Sequence, residues 1–267
     1  MTPLKHTVAR WISRLGYTVV PNWRLASFVQ ADFLARLFAL AGIDLVLDVG
    51  ANRGQYRDFL RHDVGYDGFI ASFEPLPALA RHLVERSAND ERWIVHACAL
   101  GRERGTAPFN VMEMDTFSSF LSPTASATQR FDRMNSVRSK VDVPLRTLDD
   151  VVEELRAKVS FRRPYLKLDT QGYDMAVIEG AAKFLPHIVA LQTEASVTPI
   201  YEGSPDFATA IRMLESRGFA LSGIFPNNPG HFPRMFEFDC HMVNEALVQE
   251  GVDAANVVPP RAPAFRE

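Results

Sequence analysis

One stretch gathers the residue types that ligand chemistry needs: Leu45-Val46-Leu47-Asp48-Val49-Gly50-Ala51-Asn52-Arg53-Gly54-Gln55. An apolar run carries an acid near its end, two glycines punctuate a turn, and a helical pattern follows. Glycine lets a backbone approach a ligand closely. In an open α/β sheet, ligands bind beyond the carboxyl ends of the strands. Two ligand classes use such a turn. A dinucleotide brings a pyrophosphate and asks for G-x-G-x-x-G. Counted from Gly50, the second and third glycine positions hold Asn52 and Gln55. S-adenosylmethionine has no phosphate; it carries an ammonium, a carboxylate and a cationic sulfonium. Asp48 suits the ammonium, and the backbone N–H groups of the turn, across Gly50, Ala51, Asn52, Gly54 and Gln55, suit the carboxylate.

A second acid follows. Ser72-Phe73-Glu74-Pro75 closes the next apolar run, with Glu74 26 residues after Asp48. A carboxylate there can accept hydrogen bonds from both ribose hydroxyls. Alone it fits NAD as well as S-adenosylmethionine. Glu74 and Pro75 join the cofactor candidates on the strength of turn and acid occurring together. The third run closes with His96-Ala97-Cys98-Ala99-Leu100-Gly101, where small side chains, Ala99 among them, leave room for a flat adenine. His96 reads as a core or strand-edge histidine.

The elements that must position these residues alternate from residue 45 onward. Short apolar runs at Leu45–Val49, Phe69–Phe73, Trp93–Ala97, Pro164–Leu168 and Ile188–Gln192 predict strands buried on both faces, hence a parallel sheet covered by helices. Helical patterns fall near 54–62, 76–88, 148–158, 172–185 and 205–217. Phe219–Phe225 and Met235–Val243 read as two strands, and the turn-rich connection between them permits only an antiparallel pair. Residues 101–147 interrupt the alternation. Arg104-Gly105-Thr106 reads as a turn, and the polar stretch Ser122–Lys140 as a flexible linker or a lid. The organisation expected is an N-terminal helical extension over 1–44, one domain over 45–250 and a frayed tail over 251–267. In the extension, Leu4, Val8, Trp11, Ile12 and Leu15 recur at helical spacing among basic residues. Such a helix either packs on its own domain or touches a membrane surface as a peripheral contact.

Composition narrows the function classes. With 267 residues, 47% hydrophobic and 23% charged, the chain can bury a core without staples. Two cysteines, Cys98 and Cys240, cannot build a disulfide framework or a four-thiolate zinc site. A net charge of −3 argues against affinity drawn from many phosphates. No apolar run approaches a bilayer span, and the first residues lack signal-peptide order. The expectation is a soluble, cytoplasmic protein, either monomeric or a homodimer.

Taken together, several motifs resemble the FkbM family of S-adenosylmethionine-dependent methyltransferases. They are Val46 to Gln55, Phe73-Glu74-Pro75, Ala99-Leu100-Gly101, Val143-Pro144-Leu145-Arg146-Thr147-Leu148-Asp149-Asp150 and Leu166-Lys167-Leu168-Asp169-Thr170-Gln171-Gly172. The resemblance spans about residues 45 to 195. It implies the class I methyltransferase (Rossmann-like) α/β fold, a seven-stranded, mostly parallel sheet whose C-terminal hairpin adds one antiparallel strand. It also implies O-methylation of a small-molecule or carbohydrate acceptor, often a sugar hydroxyl of a glycoside, glycolipid, polysaccharide or macrolide. The family usually carries glutamate before the glycine of the fourth-strand motif, where this chain has Gln171.

Methyl transfer needs in-line alignment and a destination for the acceptor proton. Strand-end Asp169 and Glu194 are candidates for a base, with Asp169 also near the cofactor, and by analogy with other O-methyltransferases of this fold the two could hold Mg²⁺. The alternatives are a helix cap for Asp169, shared with Thr170, and a salt bridge for Glu194. His241 and His231 are alternative bases. Asn227, Asn228, His231 and Phe232 suit hydroxyl recognition and ring stacking, and Ser118, Ser119 and residues 122–140 suit closure over the acceptor. Nucleic-acid methylation is not expected, since the only Pro-Pro is Pro259-Pro260-Arg261 and neither cysteine follows a proline. Two other readings compete: a nicotinamide oxidoreductase, and a non-catalytic S-adenosylmethionine-binding module suggested by Gln171.

Overall fold

The computed structural model describes residues 17, 19–131, 133–227 and 233–248. The helix expected over 4–15, the tail, and Asn228, His231 and Phe232 lie outside the described residues. The expected seven-stranded sheet is present. Its strands are β1 Leu45–Val49, β2 Phe69–Phe73, β3 Trp93–His96, β7 Pro164–Leu168, β8 Ala190–Ser196, β9 Phe219–Pro226 and β10 Glu237–Asn244, in the order β3-β2-β1-β7-β8-β10-β9. The first five strands of that order pair in parallel, and β10 runs antiparallel to both its neighbours. From β1 the chain builds outward in both directions, so the crevice at the carboxyl ends of β1 and β7 is the topological switch point.

Buried strands read as continuous apolar runs because helices cover both faces. By the pleat, Leu45, Leu47 and Val49 point to one core and Val46 to the other. The first core is closed by Leu148, Val151, Val152 and Leu155 of a helix spanning Leu148–Lys158. Thr147 starts that helix, its hydroxyl accepting the Asp150 N–H at 3.3 Å. The second core is closed by α1, Leu25–Ala41, through Leu34, Leu37 and Phe38, with Gly42 left-handed at its end. From Phe33 onward this helix therefore shares the core of the sheet. No helix of the described residues is long and apolar enough to cross a membrane.

Three expectations need correction. Ser122–Lys140 is not a flexible linker: it carries a short helix over Ala125–Arg130 and enters β6 Val137–Arg146, which pairs with β4 Ala99–Leu100 and β5 Gly105–Met112 in a second sheet of order β4-β6-β5. The strand β6 is polar because one face is solvated; only Val141, Val143 and Leu145 turn toward Leu76, Leu79 and Phe109. The helix expected over 172–185 runs only Asp174–Glu179 and the chain then continues through turns; Gly180 follows it, and its lack of a side chain lets the Gly101 carbonyl approach. β8 begins at Ala190, not Ile188, and extends through Glu194 to Ser196 because β10 pairs along that whole length.

Gly50 joins the sheet to the turn above it. Its φ is +81°, and a Cβ there would lie 2.0 Å from the Asp169 carbonyl oxygen. Gly50→Ala should therefore destabilise the fold by more than about 2 kcal/mol, combining backbone strain with overlap. Urea unfolding reads this; an unchanged midpoint would contradict the close approach.

Candidate functional site

A cavity of about 490 Å³ opens at the carboxyl ends of β1, β2, β7 and β8. Gly50, Ala51, Asn52 and Gln55 form one wall, and Glu74, Pro75, Cys98 and Ala99 form the next. Residues 115–118 and Phe120 close it from above.

The turn is internally satisfied. The N–H groups of Gly50 and Ala51 both donate to the Phe73 carbonyl at 3.1 Å. The Asn52 N–H donates to Glu74 Oε2 at 2.8 Å, and the Arg53 N–H to Gln55 Oε1 at 2.9 Å. Asn52 and Gly54 accommodate the bend with φ of 48° and 85°. The expectation that the N–H groups of Gly50, Ala51 and Asn52 receive a ligand carboxylate thus gives way to a different use: they fix the turn and aim Glu74. The Leu76 N–H holds the other Glu74 oxygen at 2.9 Å. Glu74 is buried in the cavity wall, and burial pushes its carboxyl up to about 7 against the pull of those two N–H groups.

Asp48 does not reach the cavity. It stands one residue before the end of β1, on the Val46 side of the pleat, with no solvent exposure. The ladder aligns it with Ser72 on one side and Lys167 on the other. Ser72 Oγ donates to Asp48 at 3.0 Å, and Lys167 Nζ lies 3.1 Å from its other oxygen. Lys167 Nζ also donates to the Gly50 carbonyl at 3.0 Å and stands 3.4 Å from Asp169. Burial pulls the Lys167 pKa down; Asp48 and Asp169 outweigh it and hold the ammonium charged, its pKa raised. Asp48 therefore lies below the cavity, and of the two acids beside Lys167 the one that lines the cavity is Asp169.

At the far end the carboxylates gather. Asp169 Oδ1 and Glu194 Oε2 each accept from Gln171 Nε2 at 2.9 Å. Asn227 Nδ2 donates to the second Glu194 oxygen at 2.7 Å. Asp239 lies opposite Glu194 in the ladder, and Glu237 opposite Ser196. Burial, then the neighbouring acids, push Glu194 well above the usual carboxylate range. Burial also raises Glu237 to about 7 and Asp239 to about 6. Glu237, Asp239 and Lys167 were not singled out in the sequence. The alternation Glu237-Phe238-Asp239 was the available signal, since it puts both acids on one face of β10.

Other expectations resolve differently. Asp169 is not a helix cap; the helix over Asp174–Glu179 follows Tyr173 and has no side-chain cap, and Asp174 turns back to accept the Thr170 N–H at 3.0 Å. His241 is fully buried, 3.0 Å from the Tyr165 hydroxyl and packed against Phe33 and Phe225. Burial drops its pKa to about 3, and it does not line the cavity, so it is a packing residue and not a base. Ser119 ties the covering segment down by donating to the Gln171 carbonyl at 2.8 Å. Mg²⁺ does not fit Asp169 and Glu194, because N–H donors already engage the oxygens that would face it. Among the described residues, no group of three or more His, Cys, Asp or Glu could hold a metal ion.

The strand order and, among the described strands, the single antiparallel β10 are those of a class I methyltransferase fold. The methyltransferase FkbM domain matches residues 48–221, and the chain belongs to that family. It is similar to "Methyltransferase 1" of Beauveria bassiana, 25% identical over 193 residues that cover 66% of this chain and 72% of that one. Among solved structures it is similar to the methyltransferase FkbM from Methylobacillus flagellatus KT (TM-score 0.48, 16% identity, 75% of this chain). The match spans 43% of that longer protein. It is also similar to Aeropyrum pernix fibrillarin in complex with natively bound S-adenosyl-L-methionine (TM-score 0.44, 14% identity, 80% and 74% of the two chains).

Lys167→Met should cost about 3–5 kcal/mol, because it strands a buried carboxylate. The double variant Asp48→Asn/Lys167→Met should recover most of that loss in urea unfolding. An equal loss in both chains would contradict the pairing.

Proposed function

We propose that this protein transfers the methyl group of S-adenosylmethionine to a hydroxyl of a sugar or glycoside. The observation that carries the cofactor reading is the charge of the cavity. Glu74, Asp169, Glu194, Glu237 and Asp239 line it, and among its described lining residues the only cation is Lys167, already paired with Asp48. Such a field favours a cationic ligand and opposes the pyrophosphate of a dinucleotide. The turn N–H groups that would receive a phosphate are engaged within the protein. That weighs against the nicotinamide reading.

In this reading Glu74 accepts the ribose hydroxyls, with both oxygens aimed by Asn52 and Leu76. Cys98, Ala99 and Leu100 supply the adenine wall, and Asp169 faces the ammonium. Bound there, S-adenosylmethionine supplies an electrophilic methyl group on a positively charged sulfur. Glu194, which lines the cavity at the end of β8, takes the proton of the acceptor hydroxyl. Phe117, Phe120 and Tyr173 offer faces for a sugar ring. The acidic cavity argues against a nucleic-acid acceptor. Free, buried Cys98 and Cys240 agree with a cytoplasmic setting.

The folded Glu74 pKa of about 7 lies above the roughly 4.3 of an unfolded glutamate. Without ligand, its contribution to stability is present below that unfolded value and lost as pH rises through 7. Only the ionised carboxylate accepts from both ribose hydroxyls, so affinity for S-adenosylhomocysteine should rise between pH 6 and 8. Glu74→Gln should weaken binding about tenfold or more, the size of a lost charged hydrogen bond, and flatten this dependence. Calorimetry tests both; unchanged affinity would contradict the ribose assignment. Incubation with S-adenosylmethionine and a glycoside panel should add the mass of one methylene at oxygen. Methyl label on nitrogen or carbon would refute the acceptor class.

A further inference from the structure

We propose that Gln171 is a positioning residue whose side-chain amide takes the place of a cation between Asp169 and Glu194, so that the pair is held without a divalent metal. The importance of that pair rests on the methyltransferase reading; the clasp itself rests on geometry.

Gln171 ends the β7 turn with φ of +53°, a left-handed conformation that costs a non-glycine residue about 1–2 kcal/mol. The bend sends its side chain across the ends of β7 and β8. There its two amide protons meet two carboxylates, Asp169 Oδ1 and Glu194 Oε2, both at 2.9 Å. Its amide oxygen lies 2.9 Å from the buried Tyr201 hydroxyl, whose single proton is shared with the Phe117 carbonyl at 2.8 Å. The reversed amide would turn an oxygen toward both carboxylates, so the network sets the orientation. Its backbone carbonyl is held by Ser119. Each polar atom of the amide thus has a partner.

The remaining oxygens are also engaged, Asp169 Oδ2 near Lys167 and Glu194 Oε1 by Asn227. A hard cation needs inward-facing oxygen lone pairs. This arrangement turns N–H groups inward instead. A carboxylate at position 171 would bring three acids into contact and require a cation or extra protons. The residue that looks like a lost catalytic acid is therefore a neutral fastening that keeps Glu194 aimed into the cavity.

The test is Mn²⁺ uptake by the full chain, read by electron paramagnetic resonance. The native chain should take up no Mn²⁺ at this site. Gln171→Glu should bind one equivalent at a concentration about a hundredfold below the highest at which the native chain still shows none, as a third carboxylate joins two. Adding Asp169→Asn should remove that gain. Gln171→Ala leaves the two acids facing across a gap; it should bind Mn²⁺ more weakly, and it carries the test if Gln171→Glu does not fold. Native uptake that Asp169→Asn abolishes would overturn the proposal, as would folded variants that gain no Mn²⁺. Failure of the native chain to bind S-adenosylhomocysteine would defeat the cofactor reading while leaving the Mn²⁺ result intact.

Discussion

The ammonium of Lys167 is the point on which the site is assembled. It lies buried beneath the glycine turn and touches three parts of the chain: Asp48 on β1, the Gly50 carbonyl in the turn, and Asp169 at the end of β7. Burying a lone ammonium is costly, and each contact offsets part of that cost. The parallel ladder supplies the first contact by register, since Asp48 and Lys167 are aligned partners on adjacent strands. The turn can then approach β7 only because Gly50 has no side chain. One charge therefore couples sheet register, turn conformation and the position of Asp169.

Above that point, the turn directs its own N–H groups inward. Phe73, Glu74 and Gln55 receive them, and the mouth of the cavity is fixed before any ligand arrives. The other end is fixed by the Gln171 amide and by the β8–β10 ladder that sets Asp239 opposite Glu194. Preorganised carboxylates crowded in a buried wall repel one another and hold protons more tightly. The same crowding makes a cationic ligand the natural complement.

The parts of this arrangement that depend on local spacing were readable from the chain itself. The turn, Glu74 and the buried strands announce themselves through glycine placement and apolar runs. Asp48 stands near a strand end, but that nearness does not decide which way a side chain points; the pleat turns it toward Lys167. The second sheet was hidden because β6 shows an inward face of only three residues among charged neighbours. Glu237 and Asp239 became part of the site through long-range pairing with β8, which no local pattern encodes. His241 looked reactive by type, yet it is withdrawn among Phe33, Tyr165 and Phe225. Gln171 suggested lost chemistry until its two carboxylate partners were in view.

The central claim is that the crevice beyond β1 and β2 holds an adenosyl group by its ribose. Diffraction from crystals grown with S-adenosylhomocysteine tests it most directly. The account predicts both ribose hydroxyls on the Glu74 carboxylate and the adenine against Ala99. Density for the ligand elsewhere, or a ribose turned away from Glu74, would contradict it.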